Sequence, residues 1–149
     1  MLRIEKLINA ARASGTEVWV SGPATPEEVE LLERRLGVAF PESYRSFLRT
    51  VGAISVHEAQ VTGIIENNPL SLEGSSLFGE TKRSQTEQGL PSGLLVVQPD
   101  LEAPYCLSTE ASSTGEMPVV CFQVNTKSTK QIATSFEDWL ERFVFDAAV

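Results

Sequence analysis

The chain has little of the chemistry that most catalytic sites require. Its 149 residues include one histidine, His57, and two cysteines, Cys106 and Cys121. Transition-metal sites usually take several histidine or cysteine ligands, and these three residues show no short ligand spacing. The GxxxxGK pattern of a phosphate-cradling loop is also missing from the sequence. We therefore predict a protein that is not an enzyme and that holds no metal or cofactor.

Two alternatives to this prediction rest on isolated groups. A histidine beside a glutamate, here His57 and Glu58, is able to act as a general base, but the sequence contains no recognisable nucleophile for it to activate. Asp100 and Glu102 are paired carboxylates, which in other settings do acid–base work or bind Ca²⁺. They follow Pro99 in a predicted loop, where exposed acids are common, so we interpret them as surface groups.

Long apolar runs are missing as well. No stretch approaches the roughly 18–20 residues that would span a bilayer. Residues 1–14 interleave charged and apolar side chains, which predicts an amphipathic helix rather than a signal peptide. We therefore expect a cytoplasmic protein. Cys106 and Cys121 lie in apolar, strand-like runs and are expected to be buried free thiols, with a disulfide as the alternative.

Positive charge is scarce in the middle of the chain. Residues 53–126 carry two basic groups against nine acidic ones, a balance of −7 within a net charge of −8. The nine are Glu58, Glu66, Glu73, Glu80, Glu87, Asp100, Glu102, Glu110 and Glu116. Such a field repels nucleic acids and anionic membranes, whose binding requires clustered Lys and Arg. It attracts and steers a basic protein partner, although a simple solubility surface is the alternative.

The most regular pattern that is present lies between residues 25 and 52. Thr25 is a good N-cap, and Glu28 stands at the capping-box position three residues later. Gly37 is the expected stop of this helix, and a second helix is predicted over residues 41–52. The segment contains no group suited to chemistry, so we interpret the helical pair as scaffold.

The remaining patterns predict an α+β fold. Further helices are expected at residues 1–13, at 80–88 after a Ser/Gly-rich loop 71–79, and after a cap at Ser135. Strands are expected at 18–20, within 54–65, and at 94–97, 105–107 and 119–124. The apolar run 94–97 is predicted to be central, with the last two strands as its neighbours. We expect one domain over residues 1–149, with a mixed, mostly antiparallel sheet of about four to six strands and helices mainly on one face.

The apolar positions of these elements define a predicted core. The residues expected to be largely buried are Trp19, Leu32, Leu36, Phe47, Leu48, Val96, Phe122, Phe136 and Trp139.

Several short motifs occur in an order that is specific in combination. They are Leu36-Gly37, Phe40-Pro41, Tyr44-Arg45-Ser46-Phe47-Leu48, Gly52, Gly93–Val97, Tyr105–Leu107, Gly115–Val120 and Ser135–Leu140. Over residues 18–145 they resemble the SUKH superfamily, also called the Smi/Knr family, and most of all its bacterial branch that includes the antitoxin YobK. Many members carry an aspartate where this chain has Ser108, so a contact made by that aspartate is in doubt here.

The resemblance implies a protein-binding function. It implies an immunity protein, or antitoxin, that binds and blocks the cognate toxin domain of a polymorphic or contact-dependent system, often a nuclease. The fungal branch of the family implies the alternative, a regulatory protein-interaction scaffold. The acidic region agrees with the first function, because an acidic face fits the cationic groove in which a nuclease holds phosphates.

The candidate binding surface lies in the acidic region rather than on the charge-balanced N-terminal helices. The candidate contacts are Glu66, Asp100, Glu102, Glu110 and Glu116, with Tyr105 as a neighbouring aromatic contact. Aromatic side chains are frequent interface anchors, whereas rim charges mainly set the association rate. Tyr105 fits a core position equally well, and the sequence leaves both interpretations open.

Overall fold

The structure of the protein, a computed structural model, describes residues 2–110 and 115–146. The helices are Leu2–Ala13 (α1), Pro26–Leu36 (α2), Glu42–Thr50 (α3), Leu77–Glu87 (α4) and Phe136–Trp139 (α5), which continues as a π-helical segment, Leu140–Phe145. The strands are Val18–Val20 (β1), Ile54–Val56 (β2), Ala59–Val61 (β3), Leu94–Gln98 (β4), Tyr105–Ser108 (β5), Val119–Gln123 (β6) and Ser128–Ala133 (β7). These elements confirm the predicted α+β class. Residues 111–114, between the candidate contacts Glu110 and Glu116, lie outside the described residues.

The strands form two antiparallel sheets, in the orders β1-β2-β3 and β4-β5-β6-β7. The sheets adjoin at Thr62, directly after β3. Its backbone N–H donates to the carbonyl of Val97 at 2.9 Å, and its hydroxyl donates to the carbonyl of Val96 at 2.7 Å. We predicted one sheet, but the structure has two. One of the two hydrogen bonds at this contact comes from the Thr62 side chain, so the backbone ladder of β3 does not continue into β4.

The position of β4 differs from the prediction. Residues 94–97 are buried, as expected, but β4 ends the order of its sheet, and β6 pairs with β5 rather than with β4. Side chains cover the outer edge of β4: the Thr81 hydroxyl accepts a hydrogen bond from the N–H of Val96 at 3.0 Å, and the Thr62 hydroxyl donates to the carbonyl of the same residue. An all-apolar run therefore indicated burial correctly, although not a central strand.

Two elements, β7 and the start of α4, differ from the sequence prediction. β7 was not predicted, since Ser128–Gln131 are exposed at the edge of the sheet and lack an alternating apolar pattern. α4 begins at Leu77, inside the segment predicted as a loop. Ser76 caps it, because its hydroxyl accepts a hydrogen bond from the N–H of Gly79 at 3.1 Å.

The predicted helical pair is confirmed in detail. The Thr25 hydroxyl accepts a hydrogen bond from the N–H of Glu28 at 3.2 Å, and the Glu28 carboxylate accepts one from the N–H of Thr25 at 2.7 Å. Gly37 ends α2 in the left-handed conformation, with φ of 71°. The second helix is shorter than the predicted 41–52: α3 spans Glu42–Thr50, with Pro41 as its N-cap residue and Val51 as its C-cap residue.

Aromatic side chains from α3 and α5 form the centre of the main core. Tyr44 stacks on Phe47 with ring centroids 5.7 Å apart, and Phe136 meets both rings edge-on. The Tyr44 hydroxyl donates to the carbonyl of Thr62 at 2.9 Å, which ties this cluster to the junction of the sheets. The confirmed core residues are Leu32, Phe47, Leu48, Val96, Phe122, Phe136 and Trp139, and Leu36 is half-buried.

The prediction for Trp19 was wrong. Trp19 is 49% exposed. Its neighbours Val18 and Val20 pack against the core, and successive strand residues point to opposite faces, so Trp19 faces outward. β1 is the edge strand of its sheet, with no strand beyond it in that order.

Both cysteines are buried free thiols, as predicted. Cys106 lies opposite Val120 in the β5–β6 register, so Cys121 points to the other face and is not placed to bridge with it. Burial raises the pKa of the Cys106 thiol to about 12, with a smaller contribution from Cys121. Within the described ranges, none of the helices combines the length and apolar content that crossing a bilayer requires.

Candidate functional site

The loop 99–104, which joins β4 to β5, carries two of the candidate acids in a fixed geometry. The Asp100 carboxylate accepts hydrogen bonds from the N–H groups of Glu102 at 2.9 Å and Ala103 at 2.8 Å. Asp100 is a favourable residue here, because its short side chain satisfies backbone donors within its own turn. Asp100 and Glu102 are both exposed, so the loop presents their charges to solvent.

Other elements hold this loop from two sides. The side-chain amide of Gln88, at the end of α4, donates to the carbonyls of Asp100 at 2.8 Å and Leu101 at 3.1 Å. The N–H of Val124, after β6, donates to the carbonyl of Glu102 at 2.9 Å. The tip of the loop is thereby held, although Leu101 itself is 91% exposed and stands between the two acids.

Two clefts flank the loop, and Asp100 lines both of them. The smaller cleft, of about 320 Å³, also contains Glu58 and Tyr105. The larger, of about 690 Å³, also contains Glu80 and Glu87 from α4. The fold therefore gathers acids from two other segments, the β2–β3 turn and α4, around this loop.

Glu80 and Glu87 are not among the contacts predicted from the sequence, although their spacing carries a signal. Glu80, Ser84 and Glu87 recur at positions i, i+4 and i+7, which places them on one face of a helix. That face lines the larger cleft, together with Arg83.

Tyr105 combines the two roles that the sequence left open. It is half-buried, and its ring packs against Trp139 and Phe143 with centroid distances of 5.6 and 6.4 Å. It also lines the smaller cleft. Burial raises the pKa of its phenol, with smaller contributions from Cys121 and Asp100.

The other candidate acids lie against different elements. The N–H of Glu66 donates to the Ser21 hydroxyl at 3.3 Å, in a turn where Glu66 has a positive φ. Glu116 is half-buried, and its carboxylate accepts a hydrogen bond from the Ser43 hydroxyl at 2.6 Å in a separate cleft of about 630 Å³. Glu110 is exposed and is the last described residue before 111–114. The loop 99–104 and the first residue of β5 thus bring together Asp100, Glu102 and Tyr105, but not Glu66 or Glu116.

His57 lies in the tight turn between β2 and β3. It is exposed, has a φ of 55°, and donates its backbone N–H to the carbonyl of Glu17 at 2.8 Å. It lines a cleft of about 520 Å³ with Arg12 and Trp19, and this cleft is not one of the two that Asp100 lines. In the part of the chain that the structure describes, no group of three or more His, Cys, Asp or Glu residues is placed to hold a metal ion.

Comparisons with known proteins bear on both fold and family. The family model SUKH_5, described as SMI1-KNR4 cell-wall, matches residues 4–146. The uncharacterized protein YnaB of Bacillus subtilis (strain 168) is 30% identical over 93 residues, a match that spans 62% of this chain and 56% of that protein. A crystal structure of a protein from Pseudomonas syringae pv. tomato shares the fold, with a TM-score of 0.59 and 19% identity over 95% of this chain and 97% of that one. The family match covers nearly the whole sequence, and the chain belongs to the SUKH family of SMI1-KNR4 proteins.

Proposed function

We propose that the protein is a non-enzymatic immunity protein that acts in the cytoplasm. It binds the toxin domain of a polymorphic or contact-dependent system and blocks it, and the expected toxin is a basic nuclease domain. Membership of a family that includes immunity proteins supports this function. The observation that carries it is the loop 99–104, which is held from two sides while Asp100, Leu101 and Glu102 stay exposed between two acid-lined clefts.

The chemistry of this surface fits such a partner. Acids gathered around a pre-formed loop attract a basic domain over distances of about a Debye length, roughly 8–10 Å at physiological salt. A held loop also loses little conformational entropy on binding, so more of the contact energy remains as affinity. The toxin's phosphate-binding groove is the surface that offers the complementary charge.

The family description favours one second candidate, a regulatory protein-interaction scaffold of the Smi/Knr type. Both functions use a protein-binding surface, so the partner distinguishes them. A neighbouring gene that encodes a large secreted protein with a small basic C-terminal domain supports immunity, and that domain is the partner to test.

Neutralising Asp100 and reversing the charge of Glu102 is expected to slow association with that toxin domain about tenfold at low salt and to flatten its salt dependence. The variant is Asp100→Asn with Glu102→Lys, because asparagine keeps an oxygen that accepts the turn's hydrogen bonds. The measurement is stopped-flow or surface-plasmon-resonance kinetics at low and high salt. Glu5→Lys with Glu30→Gln, at exposed acids on α1 and α2, changes the net charge by the same amount and is the control for overall charge. Equal effects of both variants would remove the loop from the interface.

Replacing His57 with glutamine is expected to leave protection against the toxin unchanged. The reason is that His57 is exposed in a turn and lines a different cleft from Asp100, and its hydrogen bond to Glu17 uses only backbone atoms. Survival of cells that express the toxin measures protection, and the Tm of the purified variant checks folding. Lost protection at an unchanged Tm would contradict a non-enzymatic mechanism.

A further inference from the structure

The larger cleft beside the loop 99–104 contains a buried carboxylate. Glu80 lies in the first turn of α4, and its side chain is 8% exposed. A buried charge is costly unless it is paired, and Glu80 is ion-paired with Arg83 one helical turn later. The Arg83 side chain is 57% exposed, so a guanidinium already reaches Glu80 from the solvent side of the cleft.

The walls of the cleft suit the rest of a long cationic side chain. Pro99 and Leu101 both line the cleft and offer apolar surface there, and Leu101 is 91% exposed. Aliphatic stems of Lys and Arg pack along such surface while their charged heads reach a polar group. Glu87 and Asp100, both exposed, add negative charge to the cleft.

We propose that this cleft is the anchor pocket for an arginine side chain of the basic partner. The guanidinium binds Glu80 in place of Arg83, and the aliphatic stem lies between Pro99 and Leu101. Arg83 then swings into solvent, which its present exposure permits. Arginine suits the pocket because its planar head donates two parallel hydrogen bonds to one carboxylate. The partner's identity rests on the proposed function, whereas the chemistry of the pocket does not.

A small probe tests the pocket without any toxin. Acetyl-arginine amide is titrated into the full ¹⁵N-labelled chain, and acetyl-citrulline amide, which has nearly the same shape without the charge, is the matched ligand. The arginine probe is expected to shift amides of α4 and of residues 99–101, and the citrulline probe is expected not to. Equal shifts with both probes, or shifts confined to other elements, would overturn the proposal.

Two variants give effects of opposite sign. Glu80→Gln is expected to weaken probe binding about tenfold or more, because a charge-assisted hydrogen bond is lost. Arg83→Gln is expected to strengthen binding several-fold, because the competing guanidinium is removed. Glu5→Gln removes one charge from α1 and is expected to change nothing. If the Glu80–Arg83 ion pair only supports the fold, breaking it from either side should weaken probe binding. Unchanged or weaker probe binding by Arg83→Gln, in a variant whose NMR spectrum is otherwise native, would therefore contradict the pocket.

The toxin domain separates this inference from the proposed function. Toxin binding by the wild-type chain that is unaffected by both cleft variants would overturn the arginine pocket and leave immunity standing. Probe binding in the predicted pattern, without binding to the neighbouring gene's toxin domain, would support the pocket and count against immunity. Weaker toxin binding by Glu80→Gln together with tighter binding by Arg83→Gln supports both.

Discussion

Replacing Phe47 with alanine is expected to lower the free energy of unfolding by about 3–5 kcal/mol. Phe47 is fully buried, and its ring packs on Tyr44 and Phe136 at centroid distances of 5.7 and 5.0 Å. Removing it deletes a large apolar surface and leaves a cavity that rigid neighbours fill poorly. A domain of this kind has about 5–15 kcal/mol in total, so the variant lies close to the limit of stable folding. Urea unfolding followed by circular dichroism measures the change.

Phe143→Ala is the matched control for this prediction. Phe143 is 38% exposed, lies on the π-helical segment, and contacts Tyr105 and the Arg142 guanidinium. Because much of its surface already faces water, we expect the loss to be less than about half of that for Phe47. Equal losses for the two variants would show that the aromatic cluster is not the centre of the core.

Replacing Gly63 with alanine is expected to cost at least about 3 kcal/mol or to prevent folding. A Cβ atom on Gly63 would stand 1.8 Å from the backbone oxygen of Gly52 and 2.9 Å from the Leu48 side chain. The contact cannot open freely, since the N–H of Ile64 donates to that same oxygen at 3.0 Å. The segment after β3 and the turn after α3 therefore approach each other at a distance that only glycine allows.

Alanine variants of two further glycines distinguish the cost of the steric clash from the cost of backbone strain. Gly37 has a φ of 71°, and a Cβ atom there would meet nothing within 4 Å, so Gly37→Ala measures strain alone, about 1–2 kcal/mol. Gly52 has a φ of 76°, and a Cβ there would lie 2.2 Å from the oxygen of Gly22, so Gly52→Ala combines both costs. Thermal unfolding of the three variants ranks them. A Gly63→Ala loss no larger than that of Gly37→Ala would contradict the close approach.

The candidate site was predictable in part. Asp100 and Glu102 were identified because acids beside Pro99, within an acid-rich stretch, predict an exposed loop. Leu101 was not predicted as a contact, because single apolar residues are common on protein surfaces. Its significance comes from the hydrogen bonds of Gln88, which hold the backbone of the loop while the side chain stays exposed. Those bonds join residues that are distant in sequence.

The burial of Glu80 is a second feature of the candidate site that the sequence did not predict. Its helical spacing with Glu87 was visible in the sequence, but its burial was not. α4 is approached closely by the preceding loop, where the backbone of Ser71 and Leu72 lies within about 3 Å of a Cβ position at Gly79. Burial of the carboxylate results from packing between segments, and acids in an amphipathic pattern ordinarily face solvent.

The sequence by itself determined what local interactions control. The capping box of Thr25 and Glu28, the stop at Gly37 and the hydroxyl cap of Ser135 are hydrogen bonds or backbone conformations within a few residues. The burial of residues 94–97 also followed directly from their composition. These features depend on neighbours along the chain, so the order of residues specifies them.

The tertiary structure decided how the elements meet. Threonine side chains from two other segments cover the edge of β4, which separates the strands into two sheets where one was expected. The pleat of β1 turns Trp19 outward because its two valine neighbours face the core. The polar strand β7 forms because β6 offers it a partner edge, not because its own residues favour burial. Each outcome depends on contacts between residues far apart in sequence, and local propensity carries no information about such contacts.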